Sequence, residues 1–329
     1  RFAAEHGFAG EKIRPRPLPA ARNRAAVQIH DHVPRGGIAH QRLLRGDGFL
    51  PVGTPKIHFH AAHAGGGHFV QFRVAFFRAF GKFIDDRRGH YITAEDSGTG
   101  LEDMEVIRTV TKSVTGIDPS HGGSGDPSPF TALGVRRGIE AAVKFKLGKD
   151  SLTGLRAAVQ GVGHVGYHLC KELHAAGAKL TVADVDVLKA ERARREFGAT
   201  TVPIDDIANV ECDVFAPCAL GAGLNDATIP NLRTGIVAGA ANNQLAEVRH
   251  GDDLHARGIL YAPDYAINAG GLVNVAQEVK GYDAAVSREK TLRIYDTMME
   301  IFERSKKLNA PTHKVADMMV EEPLAIAKK

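Results

Sequence analysis

The segment Gly161-Val162-Gly163-His164-Val165-Gly166 contains the residues best suited to bind a ligand, because its glycines have the spacing G-x-G-x-x-G. An apolar run at residues 155–160 precedes it, and apolar residues at helical spacing follow it. In this motif the first glycine permits a tight turn, the second lets backbone N–H groups approach an anion, and the third lets the helix pack on the strand. The helix N-terminus adds unpaired N–H donors and a favourable dipole. The segment therefore predicts a pyrophosphate site for a dinucleotide.

The acidic residue Asp184 supports this prediction from the end of the next predicted strand, residues 180–185. It follows Gly161 by 23 residues, close to the ~20 expected of a ribose-binding acid. A carboxylate there accepts hydrogen bonds from the adenosine ribose and repels a 2′-phosphate, which favours NAD over NADP. Taken alone, the unit leaves three alternatives open: FAD, a nucleotide sugar, or a tight turn that binds no nucleotide.

Strands and helices alternate around this motif. Further strands are predicted at residues 213–216, 236–240 and 259–262, and helices at 131–146, 165–176, 187–197 and 287–308. Such alternation is typical of a parallel sheet flanked by helices. Upstream, aromatic residues at helical spacing predict a helix over 76–84, and residues 91–94 predict a short buried strand.

The first 75 residues differ in composition from the rest. They hold eight of the 16 histidines, and eleven Lys and Arg against four Asp and Glu, although the whole chain carries only +4. A nucleic-acid-binding surface is one interpretation of the arginine excess. We favour the alternative, an aberrant or poorly structured segment, and expect no nucleic-acid partner.

The overall composition is typical of a globular protein, with 43% hydrophobic and 24% charged residues. The chain holds no run of 18 apolar residues and no secretory leader, so we expect no membrane partner. Three irregularly spaced cysteines form no CxxC pair, which argues against a disulfide framework and a zinc site. We therefore expect a cytoplasmic protein without a bound metal.

Beyond the glycine motif, seven segments between residue 78 and residue 271 resemble the glutamate/leucine/phenylalanine/valine dehydrogenase family, and within it the leucine dehydrogenases: 78–81, 91–96, 123–132, 157–163, 216–221, 238–244 and 262–271. The resemblance implies NAD-dependent oxidative deamination of L-leucine and other branched-chain L-amino acids to 2-oxo acids and ammonia. A phenylalanine- or valine-specific enzyme, or a catalytically impaired NAD-binding homologue, remains an alternative.

The family fold implies an α/β protein with two parts, an α/β N-terminal substrate and oligomerisation domain and a Rossmann-like dinucleotide-binding domain. We place the first at residues 1–127 and the second at 128–306. Residues 307–329 would return to the first domain. Family members form oligomers, so we expect a homo-oligomer.

The resemblance also assigns site residues. Asp96 matches the proton-shuttling aspartate, although Asp is common at such strand ends for structural reasons. Lys56 matches the lysine that binds the substrate carboxylate, and the side-chain pocket would be lined by Ala94, Leu272 and Val275. Ile38 would join them under a fainter match. Thr131, Ala219, Asn243 and Asn268 would contact the cofactor, although an Asn pair such as Asn242-Asn243 is also a common turn former.

The catalytic lysine of the family pattern is replaced in this sequence, because His68 occupies its position after Gly65-Gly66-Gly67. One interpretation is a diverged domain in which neutral imidazole acts as the base, since its reference pKa is about 6.5. Neutral imidazole, however, cannot supply the positive charge that a lysine would bring to this position. The other, which we favour, is that residues 1–75 come from a shifted or damaged reading frame, and resequencing the coding DNA distinguishes the two.

Overall fold

A computed structural model describes residues 66–96 and 98–327, and side chains from residue 70 to residue 324 apart from residue 97. Its first helix, α1 (Gly66–Asp85), contains the helix predicted over 76–84 and continues ten residues before it. The predicted strand at 91–94 is reduced to a single bridge, in which Thr93 pairs with Val114. Between the two partners lies α2 (Leu101–Arg108).

The remaining chain alternates strands and helices, as the sequence predicts. In order the elements are α3 (Ser128–Leu147), β1 (Arg156–Gln160), α4 (His164–Ala175), β2 (Lys179–Ala183), α5 (Val187–Phe197), β3 (Thr200–Thr201), β4 (Val214–Pro217), β5 (Ile236–Val237), α6 (Arg249–Ala256), β6 (Leu260–Tyr261), α7 (Asp264–Ile267), α8 (Gly270–Ala276), α9 (Ala284–Leu292), α10 (Ile294–Leu308) and α11 (Thr312–Ala327).

The six strands of the described chain form one parallel sheet in the order β3-β2-β1-β4-β5-β6. This is the order of the doubly wound dinucleotide-binding fold. In this fold successive strands are added first on one side of β1 and then on the other, so the strand order reverses between β1 and β4. Ligands of such sheets bind at that reversal, outside the carboxyl ends of the strands. The predicted α/β class and the Rossmann-like domain are confirmed.

Helices cover both faces of the sheet and bury its central strands. Val159 of β1 and Val182 of β2 are fully buried in a core that also contains Leu169 of α4 and Ile139 of α3. On the other face, Phe215 of β4 packs in a second cluster with residues of β5 and α6. Burial on both faces explains the near-continuous apolar runs by which the sequence marks these strands.

The C-terminal helices differ from the prediction. The single helix expected over 287–308 is divided at Arg293 into α9 and α10. The sequence predicts an apolar face of Leu292, Tyr295, Met299 and Phe302 on this helix. The buried face of α10 is instead formed by Ile294, Met298, Ile301 and Phe302, so of the predicted face only Phe302 is fully buried. Helix α11, which was not predicted, packs beside β6, where Thr312 Oγ1 donates to the carbonyl of Tyr261 at 2.6 Å. No helix of the described chain is long and apolar enough to cross a membrane.

Candidate functional site

The three motif glycines connect β1 to α4, and two of them are required by the protein's own packing. Gly161 has φ +91°, and a Cβ there would lie 2.8 Å from the backbone nitrogen of Ala219. A Cβ on Gly166 would lie 2.0 Å from the carbonyl oxygen of Gly161, so this glycine permits the helix to touch the turn. Gly163, the N-cap of α4, differs from both, because a Cβ there would meet nothing within 4 Å. Its open side leaves room for a ligand to approach the helix N-terminus.

The carboxylate of Asp184 holds this turn from the end of β2. Its Oδ2 accepts a hydrogen bond from the backbone N–H of Val162 at 2.6 Å, and its Oδ1 accepts one from Asp186 at 2.8 Å. Three large apolar side chains beside it are exposed: Val185, Val187 and Leu188. The carboxylate and these side chains together form a partly apolar surface next to the glycine turn, the kind of surface on which an adenosine group would lie.

Three further predicted residues lie after other strands at the same edge of the sheet. Ala219 follows β4 and packs against Gly161. Asn243 follows β5 with φ +53°, and its carbonyl accepts a hydrogen bond from the N–H of Ala222 at 2.6 Å. Asn268, after β6, donates through Nδ2 to Asn242 Oδ1 at 2.6 Å and to the carbonyl of Ala240 at 3.1 Å. The asparagines thus have structural roles as turn and loop-joining residues, beside any contact with a ligand.

Asp96 lies on the segment that follows the Thr93 bridge. Its backbone is fixed by Thr99, whose Oγ1 accepts from the N–H of Asp96 at 2.8 Å and donates to the carbonyl of Asp96 at 2.7 Å. The neighbouring Glu95 brings this segment to the glycine turn, because its Oε1 lies 3.9 Å from Nδ1 of His164. Two regions that the sequence separates by more than 60 residues therefore meet at the candidate site.

The buried carboxyl of Glu95 is a further feature of this site, and the sequence alone does not predict it. Its side chain is only 7% exposed, and Oε2 is buried without a hydrogen-bond partner in the described chain. The pKa of this carboxyl is raised to about 7, chiefly by burial and to a lesser extent by the nearby charges of Asp126 and Asp103. No local pattern marks the residue, since its burial depends on packing between distant segments.

The comparisons with known proteins agree with this geometry. A family model described as glutamate/leucine/phenylalanine/valine dehydrogenase matches residues 122–188 and 181–322. The leucine dehydrogenase of Thermoactinomyces intermedius is 54% identical over 255 residues, which cover 78% of this chain and 70% of that protein. The chain belongs to the glutamate/leucine/phenylalanine/valine dehydrogenase family.

Two other members of the glutamate/leucine/phenylalanine/valine dehydrogenase family show how wide the similarity is. The valine dehydrogenase of Streptomyces albus is 42% identical over 253 residues, 76% of this chain and 70% of that protein. The crystal structure of L-tryptophan dehydrogenase from Nostoc punctiforme superposes with a TM-score of 0.66 at 42% identity, and covers 78% of this chain and 73% of that one.

The predicted pocket residues lie on two elements of this dehydrogenase. Ala94, half-buried, precedes Glu95, whereas Leu272 and Val275 stand three residues apart on α8. Leu272 is 71% exposed and Val275 is buried. Helix α8 is held against α3 beside Thr131, since a Cβ on Gly271 would lie 2.3 Å from Thr131 Oγ1.

The predicted residues nearest the N-terminus cannot be placed in this site. Ile38 and Lys56 lie outside the described residues, and His68 is described only by its backbone, in the first turn of α1. Their assignment to substrate binding and catalysis stays a prediction.

A second polar cluster, Asp226, His250 and Asp253, has side-chain atoms close enough to hold a metal ion. Its ligand atoms are already engaged, however. Arg249 donates to both carboxylate oxygens of Asp226 at 2.6 and 2.7 Å, and Nδ1 of His250 accepts from the backbone N–H of Glu247 at 2.9 Å. His250 therefore presents Nε2–H to Asp226, which is the tautomer that leaves no lone pair for a metal. This cluster is an ion-pair network.

Proposed function

We propose that this chain catalyses the NAD-dependent oxidative deamination of L-leucine and other branched-chain L-amino acids. An L-amino acid, NAD⁺ and water give the 2-oxo acid, ammonium, NADH and a proton. The observation that carries the proposal is the meeting of the Asp96 segment with the glycine turn, through Glu95 and His164. Family membership supplies the reaction class.

NAD is the cofactor that the residues of the turn fit best. Bound there, it would accept the hydride from the substrate Cα. Gly163 leaves its pyrophosphate open access to the α4 N-terminus. Asp184 keeps lone pairs beyond the two N–H bonds it accepts, so it can receive ribose hydroxyls while its charge opposes a 2′-phosphate.

The protein's own groups then have distinct tasks. Asp96 would accept a proton at its carboxylate as the substrate nitrogen and the attacking water change protonation state. Lys56 would bind the substrate carboxylate. Ala94, Leu272 and Val275 are small or aliphatic, which suits a branched aliphatic side chain better than an aromatic one. One methylene changes specificity by only about 1–3 kcal/mol, so leucine, valine and isoleucine should all be substrates.

The assay is NADH absorbance after addition of purified protein to NAD and an L-amino acid at alkaline pH. We expect branched-chain substrates to exceed phenylalanine and glutamate in kcat/KM. A preference for phenylalanine would contradict the pocket assignment. A preference for valine over leucine would instead restrict the predicted pocket to the shorter of the two branched side chains.

A catalytically impaired NAD-binding homologue is the second candidate function, because His68 stands at the position of the catalytic lysine. It predicts tight NAD binding without turnover. In that case His68→Lys should restore activity, whereas His63→Lys, a control histidine outside the motif, should not. An active wild-type protein would reject this candidate.

We also propose the division into residues 1–127, 128–306 and 307–329, in which the first part supports a homo-oligomer and the last returns to it. The start of α3 at Ser128 supports the first boundary. Light scattering after size exclusion tests the oligomer. A cytoplasmic location, the remaining part of the proposal, is tested by fractionation.

A further inference from the structure

One oxygen of Glu278 collects three hydrogen bonds from a single loop. The backbone N–H groups of Gly116 and Ser124 donate to Oε1 of Glu278 at 2.7 and 2.8 Å, and the Ser124 hydroxyl donates to the same oxygen. Residues 116–124, here called the clamp loop, are separated from Glu278 by more than 150 positions. The contact therefore joins two distant parts of the chain.

The clamp loop is closed by its own backbone hydrogen bonds. The N–H of Gly125 donates to the carbonyl of Ile117 at 3.0 Å, and that of Gly123 donates to the carbonyl of Asp118 at 3.2 Å. Gly116, its first residue, and Gly125, which directly follows its last, have φ of +74° and +70°. Because these hydrogen bonds close the loop on itself, a displacement of Gly116 or Ser124 would displace the whole loop rather than one residue.

One end of the clamp loop supports the Asp96 segment. Just before Gly116, the N–H of Thr115 donates to the carbonyl of Thr93 at 2.8 Å, and the N–H of Thr93 donates to the carbonyl of Ser113 at 3.1 Å. Gly116 lies directly behind Glu95, since a Cβ on this glycine would be 3.8 Å from the Glu95 nitrogen. The position of Asp96, the next residue, is therefore coupled to that of the loop.

The other end of the clamp loop leads into α3, and Glu278 itself follows α8. Ser128, the first residue of α3, donates its N–H to Asp126 at 2.8 Å. Three residues later, Thr131 lies beside α8. Glu278 lies two residues after Ala276, the last residue of α8, the helix that carries Leu272 and Val275. A single carboxylate thus connects the acid/base segment with the helix of the predicted side-chain pocket.

We propose that Glu278 is a positioning residue for the deamination reaction: by holding the clamp loop, it fixes Asp96 relative to the substrate pocket on α8 and to the nicotinamide. The inference rests on the proposed function. Glu278 touches neither substrate nor cofactor, so its loss should disturb the alignment for hydride and proton transfer and leave the binding of NAD to the glycine turn unchanged.

The test compares Glu278→Ala, Glu278→Gln and the control Glu289→Ala, an exposed glutamate of α9. For each variant we would measure kcat, KM for leucine, the NADH dissociation constant, and the isotope effect on kcat with leucine deuterated at Cα. We expect Glu278→Ala to lower kcat about 10- to 100-fold, as an ångström-scale displacement of a catalytic group does. Its isotope effect should rise and its NADH affinity should stay at the wild-type value.

Rescue by Glu278→Gln shows whether the effect depends on the acceptor oxygen that holds the clamp loop or only on the volume of the side chain. Glutamine keeps one acceptor oxygen at the same reach, so this variant should retain most of the wild-type kcat and isotope effect. Ser124→Ala, which removes one of the three donors, should change kcat and the isotope effect in the same direction as Glu278→Ala but less. It serves as the test if Glu278→Ala does not fold.

The outcomes separate this inference from the proposed function. Lower thermal stability with an unchanged kcat and isotope effect would show that Glu278 is only a structural anchor, and would overturn the positioning role alone. Loss of NADH binding in parallel with kcat would overturn it as well. A wild-type protein that oxidises no amino acid would refute the proposed function, and the positioning role with it.

Discussion

Asp184 Oδ2 accepts the backbone N–H of Val162 at 2.6 Å, so the acidic residue after β2 and the glycine turn after β1 form one unit. The carboxylate therefore orients the turn through the protein's own hydrogen bond. This relationship explains why the spacing between the glycine motif and the acid carries information: the two must reach each other across adjacent parallel strands, and β1 and β2 are such neighbours.

Replacing Asp184 with Asn should weaken NAD binding and reduce the preference for NAD over NADP. The variant keeps an acceptor for Val162 but loses the charge that receives ribose hydroxyls. We expect a loss of about 1.5–3 kcal/mol in NAD binding, the usual strength of a hydrogen bond to a charged group. The matched control is Asp186→Asn, because Asn also caps α5 well. Calorimetric titration that gives equal losses for both variants would contradict the role of Asp184.

The same substitution at two motif glycines should affect different properties, NAD binding in one case and the stability of the fold in the other. Gly163→Ala adds a Cβ into open space at the mouth of the site, so it should weaken NAD binding at least about tenfold, or 1.4 kcal/mol. Unfolding free energy should change by no more than about 1 kcal/mol, because Ala is a poorer N-cap than Gly. NAD titration and thermal unfolding of the same samples give both quantities.

Gly166→Ala is the internal comparison. Its Cβ would collide with the Gly161 carbonyl at 2.0 Å, so the helix must shift away from the turn. Overpacking of this kind costs about 1–3 kcal/mol of stability. A Gly166→Ala protein as stable as the wild type would show that α4 does not touch the Gly161 carbonyl this closely.

Stability should fall with rising pH because of Glu95. Its pKa is raised from 4.5 to about 7 in the folded state by burial and by Asp126 and Asp103. The neutral carboxyl therefore contributes stability that is complete below its unfolded pKa and is lost as the pH rises through about 7. Glu95→Gln should accordingly be more stable than the wild type at pH 8, by about 1–3 kcal/mol, and equal to it near pH 4.

Urea unfolding at the two pH values measures this difference. The control is Glu289→Gln, at an exposed position on α9, which should show no pH-dependent gain. A Glu95→Gln protein that is less stable at pH 8 would mean that the ionised carboxylate is satisfied in the folded state, contrary to the unpartnered Oε2.

The substrate pocket is tested at Leu272, because this side chain is 71% exposed and can be shortened without disturbing the core. Leu272→Ala should lower kcat/KM for leucine by an amount equivalent to about 1–3 kcal/mol of transition-state binding energy. The value of kcat/KM for valine should change less. Val279→Ala serves as the control, since Val279 is similarly exposed at 60% but lies outside the predicted pocket. Equal effects of the two variants on kcat/KM would remove Leu272 from the pocket.

Local signals were enough to predict much of the Rossmann-like domain. Helix α5 was predicted at 187–197 and lies at Val187–Phe197, because Asp186 caps its start and Gly198, with φ +64°, ends it. The two residues of β3 form too short a run to show any period. The break between α9 and α10 at Arg293 has no glycine or proline to mark it.

The polar contacts around Asp96 were not predictable in the same way. Glu278 and the clamp loop, or Glu95 and His164, meet only after the chain has folded, and no sequence period records such pairs. The glycine motif and Asp184 could be identified because dinucleotide binding requires a particular local backbone. The residues that align the two parts of the site had to be found from the structure.

The most direct test of the account follows the hydrogen on the substrate Cα. The protein would be incubated with NAD⁺ and L-leucine deuterated at Cα, and the NADH and the 2-oxo acid would be analysed by mass spectrometry. An NAD-dependent deamination predicts one deuterium in each NADH formed, with equal amounts of NADH, ammonium and the 2-oxo acid. Bound NAD without deuterium transfer from leucine or any other amino acid would contradict it.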